Sequence, residues 1–252
     1  MIVCPLKVGK STIMKSQFKQ LLRSVGYEIH RYNPSANQTY QIECALRNHK
    51  IDLVLDVGAN VGQFARGLRE VGYKDRIVSF EPLIDAHHIL SKAARGPRGW
   101  EVHERCAIGD INGTIQINVS TNSVSSSVLP MLKEHSDAAP ESAFTRSEET
   151  PIHTLDSVSA PYMAPRNSTL IKIDTQGFEW QVLDGASQTI KLAQGVMVEL
   201  SVVPLYSGQR LWQDIFQRLE SEGFRLWSLN TAFVDPRNGK TLQLDGLFFR
   251  DK

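Results

Sequence analysis

From residue 50 onward, short β-branched runs alternate with amphipathic stretches, and this alternation narrows the choice of folds more than any other feature. Such a pattern is typical of a parallel sheet with helices on both faces. We expect strands at Asp52–Val57, Arg76–Phe80, Trp100–His103, Thr114–Val119, Thr169–Asp174, Val196–Ser201, Arg225–Leu229 and Leu242–Arg250. We expect helices at Gly62–Val71, Ile84–Ala94, Glu179–Leu192 and Leu211–Glu222. The sequence therefore predicts an α/β fold with a doubly wound, mostly parallel sheet.

Two segments lie outside this alternation. Residues 1–50 are basic and mostly helical in pattern, so we treat them as an N-terminal extension to a main domain at 51–252. A packing helix is the simplest role for the extension, with a lid or a membrane-surface helix as alternatives. The segment Asn118–Pro165 is rich in Ser, Thr, Pro and Asn, and we expect a long insertion with one short extended piece at Thr150–Leu155. Long ordered loops often carry function.

Composition excludes several classes of protein. Hydrophobic residues make up 41% of the 252 residues and charged residues 22%, as in globular proteins, and the net charge of +1 gives no general attraction to nucleic acid. Three cysteines without a C-x-x-C pair predict neither a disulfide framework nor a cysteine zinc site. No apolar run approaches the length of a membrane span, so we expect a cytoplasmic protein without membrane insertion.

The first predicted strand runs directly into a glycine-containing turn that opens a helix. Gly58 and Gly62 allow a sharp bend and a close approach to a ligand, with Ala59 and Asn60 between them. The spacing differs from the dinucleotide pattern G-x-G-x-x-G, and Asp56 would repel a pyrophosphate but attract a cationic amino group. The turn therefore favours S-adenosylmethionine over NAD, and we predict that all five residues bind this cofactor.

A carboxylate follows the next predicted strand. Glu81 lies where an acidic side chain accepts two hydrogen bonds from a ribose diol in dinucleotide folds, and Pro82 and Leu83 extend this predicted contact. After the third strand, Ala107 is small enough to let an adenine edge meet the backbone. Its neighbour Cys106 has no base at a typical spacing, so we interpret it as a small buried thiol rather than a nucleophile.

The most specific stretch is Leu170–Ala186, in which a buried strand ends at Asp174 and a glycine turn leads to a helix. Together with the motifs before and after it, this stretch resembles the FkbM family of S-adenosylmethionine-dependent O-methyltransferases. The resemblance covers about residues 45–250. The matching motifs are Asp56–Gly62, Ser79–Pro82, Cys106–Asp110, Ile171–Glu179, Val198–Gln209 and Asp245–Arg250.

The resemblance implies a class I, Rossmann-like sheet of seven strands with one antiparallel strand near the C-terminus. It also implies that S-adenosylmethionine binds at the carboxyl ends of the strands and that the acceptor is a hydroxyl of a sugar, glycolipid or natural product. Many family members have Glu where this chain has Gln176, which weakens any role of that position as a base.

Methyl transfer to a hydroxyl needs alignment and a group that takes the alcohol proton. The catalytic candidates are Asp174, Glu199 and His153. Asp174 is a base or holds the amino group of the cofactor. Glu199, placed after the fifth main strand, is a base, a ligand of the acceptor hydroxyl or a structural ion pair. His153, in the insertion, is a base or an ordinary strand residue.

Other functions remain as alternatives. An NAD-dependent oxidoreductase is disfavoured by the missing G-x-G-x-x-G. A noncatalytic adenosine-binding protein with the same fold is opposed only by the acidic residues Asp56, Glu81 and Asp174. Methylation of a nucleobase would need an Asn/Asp-Pro-Pro-aromatic loop where this chain has Asp174–Gly177. No His, Cys and carboxylate spacing predicts a metal site, so no metal is expected. The oligomeric state is not predicted.

Overall fold

The computed structural model describes residues 10–27, 37–164 and 166–251, without the side chains of residues 10–16. The chain divides between Asn37 and Gln38 into two compact units. The first contains helix α1 (Lys10–Ser24). The second contains α2 (Gln38–Asn48), which buries Ile42 and Leu46. This part of the expected N-terminal extension therefore packs within the same unit as the sheet.

The described residues contain ten strands, which form two sheets. Their bounds are β1 (Leu53–Val57), β2 (Arg76–Phe80), β3 (Trp100–Val102), β4 (Ala107–Gly109), β5 (Gly113–Ser120), β6 (Phe144–Thr154), β7 (Thr169–Ile173), β8 (Gly195–Ser201), β9 (Phe224–Val234) and β10 (Thr241–Arg250). The main sheet has seven strands in the order β3-β2-β1-β7-β8-β10-β9, and β10 is antiparallel to both of its neighbours. This confirms the predicted seven-stranded α/β fold with one antiparallel strand near the C-terminus.

Helices cover both faces of the main sheet. The remaining helices are α3 (Gln63–Glu70), α4 (Ile84–Ala93), α5 (Lys133–Ala138), α6 (Leu155–Val158), α7 (Glu179–Asp184), α8 (Thr189–Leu192) and α9 (Trp212–Ser221). Helices α2, α3 and α4 contribute Leu46, Leu68 and Leu90 to the core on one face. Helices α7 and α9 contribute Val182 and Leu219 to the core on the other. No described helix has both the length and the apolar character needed to cross a membrane.

The predicted insertion contains more regular structure than its composition suggested. Strand β6 is eleven residues long and pairs antiparallel with β5 and parallel with β4, forming a second, three-stranded sheet. The expectation of a mostly irregular segment with a short strand at Thr150–Leu155 was therefore wrong. Many residues of β6, such as Arg146 and Glu149, are polar and exposed, so the strand has no clear hydrophobic pattern. It is a strand because it pairs with β4 and β5, which its local sequence does not reveal.

The single helix predicted at Glu179–Leu192 is two short helices, α7 and α8. At the break, Asp156 accepts backbone hydrogen bonds from Gln188 and Thr189 at 2.9 and 2.7 Å. Gly185 lies so close to Gly109 that a Cβ built on it would be 1.8 Å from the Gly109 carbonyl oxygen. The break therefore packs against the second sheet, a contact that local propensity does not reveal.

Candidate functional site

A cavity of about 370 Å³ lies at the carboxyl ends of β1, β2 and β7. The order of the main sheet reverses between β1 and β7, and open α/β sheets bind their ligands at such a point. Of the predicted cofactor-binding residues, the cavity is lined by Gly58, Ala59, Asn60, Glu81, Pro82, Leu83, Ala107 and Asp174. The structure therefore brings together eight residues that are spread over more than one hundred positions of the sequence.

The glycine turn between β1 and α3 brings bare backbone to the cavity. Gly58 has a φ of 75°, and a Cβ there would lie 1.8 Å from the carbonyl oxygen of Asp174. Only glycine fits, because both the backbone conformation and the space exclude a side chain. Asn60 also has a positive φ, of 47°, and its amide N–H donates to Glu81 Oε2 at 2.7 Å. The turn and the end of β2 are thus held as one surface.

Glu81 lies in this surface with its side chain almost fully buried. Its two carboxylate oxygens accept backbone N–H bonds from Asn60, at 2.7 Å, and Leu83, at 2.9 Å. Burial raises the pKa of Glu81 to about 7, although these two hydrogen bonds oppose the shift. A carboxylate held in this way at a cavity wall has lone pairs left for the hydroxyls of a diol.

One end of the cavity is apolar. It is formed by Leu83, Cys106, Ala107, Ile117 and Phe178. Burial raises the pKa of the Cys106 thiol to about 12, so this cysteine is not an activated nucleophile at neutral pH. This end has the character expected of a pocket for a planar aromatic base.

Two predicted cofactor residues do not line the cavity. Asp56 has no exposed surface, and its carboxylate accepts a hydrogen bond from Ser79 and forms an ion pair with Lys172 at 3.3 Å. Gly62 faces the core, where a Cβ would lie 2.8 Å from the Trp100 ring. The predicted direct contacts of Asp56 and Gly62 with the cofactor are therefore corrected. Asp56 is enclosed by Ser79 and Lys172, and Gly62 packs against Trp100, so both residues support the cavity wall from behind.

Lys172 connects the motifs of β1 and β7. Its ammonium donates to the carbonyl oxygen of Gly58 at 3.0 Å and lies 3.3 Å from Asp56 and 3.5 Å from Asp174. Burial opposes its charge, but the carboxylates of Asp174 and Asp56 outweigh that effect and raise its pKa. The ammonium therefore stays charged and fixes the end of β7 against the glycine turn.

Gln176 organises the acidic residues at this end of the sheet. Its Nε2 donates to Asp174 Oδ1 and to Glu199 Oε2, both at 2.9 Å, and its Oε1 accepts from the Tyr206 hydroxyl at 2.9 Å. The sequence indicated only that Gln176 is a poor base. The structure adds that an amide at this position, unlike a carboxylate, donates to two carboxyl groups at once.

The other two catalytic candidates lie away from the cavity surface. Glu199 lies within β8 rather than after it, is 8% exposed, and accepts from Gln176 and Gln243. Burial and the neighbouring Asp174 raise its pKa well above the usual range. His153 pairs with Ile108 in the second sheet and is not among the described residues that line the cavity. The structure therefore brings only Asp174 of the three candidates to the cavity surface, with 38% of its side chain exposed.

The cavity also has walls that the sequence did not indicate. Residues of the loop after β5, including Ser123 and Ser127, contact the site: Asn60 Nδ2 donates to Ser123 at 3.2 Å and Ser127 donates to the carbonyl of Gln176 at 2.6 Å. Helix α2 contributes Gln38, and β10 contributes Asp245. The available signals for Asp245 were its place at the start of the motif Asp245–Arg250 and its being the one acid in Leu244–Phe249.

A family model described as the methyltransferase FkbM domain matches residues 56–226, which contain the glycine turn, Glu81, Asp174 and Gln176. The chain belongs to the FkbM methyltransferase family. S-adenosylmethionine is the methyl donor of this family. No curated protein has significant sequence similarity to the chain.

Several solved methyltransferase structures are similar to this FkbM-family chain. Magnesium protoporphyrin IX methyltransferase from Synechocystis is 11% identical, with 98% of this chain and 100% of that chain covered and a TM-score of 0.47. A TehB-like methyltransferase from Corynebacterium glutamicum is 11% identical over 96% and 98%, with a TM-score of 0.40. An rRNA methylase from Streptococcus thermophilus is 8% identical over 89% and 100%, with a TM-score of 0.45. The family assignment rests on the family match and not on these low scores.

Proposed function

We propose that this FkbM-family chain is an O-methyltransferase that acts on a hydroxyl of a sugar, glycolipid or natural product in the cytoplasm. The observation that carries the proposal is Asp174, a half-buried carboxylate at the end of β7 that faces the cavity. Its surroundings fit the transfer of a proton from an alcohol, because a positioned carboxylate is a common general base.

The cavity fits the adenosine half of S-adenosylmethionine. We assign the ribose diol to Glu81 and the adenine to the apolar end near Ala107 and Phe178. Glycine at position 58 lets the turn lie directly against the end of β7, because a Cβ there would collide with the Asp174 carbonyl. We assign the chain of the cofactor to the backbone of this turn at Gly58 and Ala59, which lines the cavity. When bound, S-adenosylmethionine supplies an activated methyl group on a sulfonium.

The residues of the chain then have two tasks. Lys172 and Gln176 hold Asp174 in place through its two oxygens, at 3.5 and 2.9 Å. With the cofactor bound, Asp174 would accept the proton of the acceptor hydroxyl, and the cofactor would supply the methyl group to that oxygen. Glu199 acts through Gln176 and has no direct part in this step. Alignment supplies much of the acceleration in such a displacement.

A small hydroxylated acceptor suits this site better than nucleic acid. The turn Asp174–Gly177 lacks the proline and aromatic residues that hold a flipped base, and the net charge of +1 offers no general attraction to a polyanion. No group of three or more His, Cys, Asp or Glu able to hold a metal ion occurs among the described residues.

The test is methyl transfer from S-adenosylmethionine labelled in its methyl group. A panel of neutral sugars, glycolipids and polyketides, with tRNA and DNA beside them, should give a product labelled at oxygen of a small acceptor. With that acceptor, Asp174→Asn should lower kcat about 100-fold or more, the usual contribution of a general base. Label on nitrogen or nucleic acid would refute the proposal. Tight binding of S-adenosylhomocysteine without any transfer would favour a noncatalytic adenosine-binding protein.

A further inference from the structure

The ammonium group of S-adenosylmethionine needs an anionic partner, and the acids predicted for cofactor binding do not provide a free one. Asp56, which the sequence suggested, has no exposed surface and is taken up by Ser79 and Lys172. Asp174 is held by Lys172 and Gln176 and has, in the proposed function, the task of taking the proton of the acceptor hydroxyl. A second carboxylate at the cavity wall would complete the site.

Asp245 is such a carboxylate. It lines the cavity from β10, and its Oδ2 accepts a hydrogen bond from Gln38 Nε2 of α2 at 2.7 Å. Among the described residues, no group donates to its other oxygen, and no cation forms an ion pair with it. Burial raises the pKa of Asp245, and the nearby Asp174 raises it further. The charge of Lys172 opposes this rise without forming an ion pair, so the burial of the Asp245 carboxylate is only partly compensated, and an ammonium bound directly to it would compensate it further.

The register of the sheet places Asp245 and Asp174 at the same level. Asp245 pairs with Glu199 of β8, and Asp174 follows the pair formed by Ile173 of β7 with Val198 of β8. The two acids are thus separated by one strand, which is about 10 Å between their backbones. Met197 and Phe64 line the cavity near them and offer apolar surface to an aliphatic stem.

We propose that Asp245, oriented by Gln38 and facing Asp174, binds the ammonium group of the methionine part of S-adenosylmethionine. This inference rests on the cavity being the cofactor site of the proposed function. It assigns a role to two residues outside the glycine turn and outside the motifs of β2 and β7. Strand β10 and helix α2 would then hold the methionine end of the cofactor.

The test compares two ligands by calorimetric titration. S-adenosylhomocysteine carries the amino acid part, whereas 5′-methylthioadenosine lacks it. Asp245→Asn should raise the Kd for S-adenosylhomocysteine at least about tenfold, as expected for a lost charged hydrogen bond, and leave the Kd for 5′-methylthioadenosine within about twofold. Glu81→Gln, at the ribose end, should weaken both ligands. Asp214→Asn, an exposed change on α9, should weaken neither.

Decarboxylated S-adenosylmethionine provides a third arm, because it keeps the ammonium and lacks the carboxylate. Asp245→Asn should weaken this ligand as well. Unchanged affinity for both ammonium-bearing ligands, or equal loss for 5′-methylthioadenosine, would overturn the proposal. An effect only on the KM of the acceptor would also overturn it and assign Asp245 to the acceptor. The proposed O-methylation would stand in each of these cases, and it fails separately if no labelled hydroxyl product forms.

Discussion

Gln176 illustrates how one neutral side chain holds two acidic neighbours together. Its amide donates to Asp174 and Glu199, and the Tyr206 hydroxyl fixes the amide orientation by donating to its oxygen. A carboxylate at this position would lie between two acidic groups and could not donate to both. The neutral side chain therefore stabilises a cluster of carboxyl groups that would otherwise repel one another.

Gln176→Glu tests this arrangement through the pH dependence of stability. The pKa of the new carboxyl in the folded protein should be raised by Asp174 and Glu199, so the native state binds more protons than the unfolded state above about pH 4.3. The Tm of the variant should then fall below that of the wild type as pH rises from 5 to 8. Gln217→Glu, the same change on the exposed face of α9, is the control. A Tm difference that does not grow with pH would contradict the account.

Glu81 should make cofactor binding depend on pH. The ribose hydroxyls donate to the ionised carboxylate, so a proton must leave Glu81 when the ligand binds below its pKa of about 7. Between pH 7 and pH 5 the Kd for S-adenosylhomocysteine should rise, by at most about tenfold per pH unit, the limit for one proton. Calorimetry across this range measures it. In Glu81→Gln the affinity should be lower at pH 8 and nearly independent of pH, and an unchanged pH profile would remove Glu81 from the ribose site.

At the scale of elements, the second sheet is joined to the main domain by close backbone contact. A Cβ on Gly185, after α7, would lie 1.8 Å from the carbonyl oxygen of Gly109 in β4. Gly185→Ala should therefore lower the free energy of unfolding by about 1–3 kcal/mol, the usual cost of overpacking. Gly113→Ala, where nothing lies within 4 Å of a Cβ, should change it by less than about 0.5 kcal/mol. Equal effects in a urea titration would show that this contact is not tight.

The elements that the sequence predicted are those with a local signal. The buried strands β1 and β7 and the turn at Gly58 follow from hydrophobic runs and glycine, and their predicted positions were confirmed. Strand β6 and the break at Gly185 were missed, because pairing and close packing with distant residues decide them. Local sequence carries little information about such long-range contacts.

The candidate site was likewise predicted where the signal is local and missed where it depends on long-range contacts. Positions at strand ends were predicted because parallel strands bring their carboxyl ends to one edge, as Glu81 and Asp174 show. The direction of a side chain was not predicted: Asp56 points into the core toward Lys172, and Glu199 points toward Gln176. Asp245 and Gln38 come from opposite ends of the domain and meet only in the folded chain. The motifs predicted which acids lie near the cavity, whereas burial and the pairing of charges determine which of them face it.

At the scale of the whole molecule, the cavity is a property of the folded domain, since its walls come from positions between residues 38 and 245. A ligand that binds only this folded state stabilises it by mass action, by about 2.7 kcal/mol at one hundred times its Kd. For a domain of this size that corresponds to a rise in Tm of roughly 5–10 °C.

Thermal unfolding with S-adenosylhomocysteine, NAD or NADP, and without ligand, therefore tests most directly whether this cavity is an S-adenosylmethionine site. S-adenosylhomocysteine at one hundred times its Kd should raise the Tm of the wild type by roughly 5–10 °C, and at the same concentration should have a much smaller effect on Glu81→Ala. NAD and NADP should leave the Tm of both proteins unchanged. A rise with NAD and none with S-adenosylhomocysteine would contradict the account.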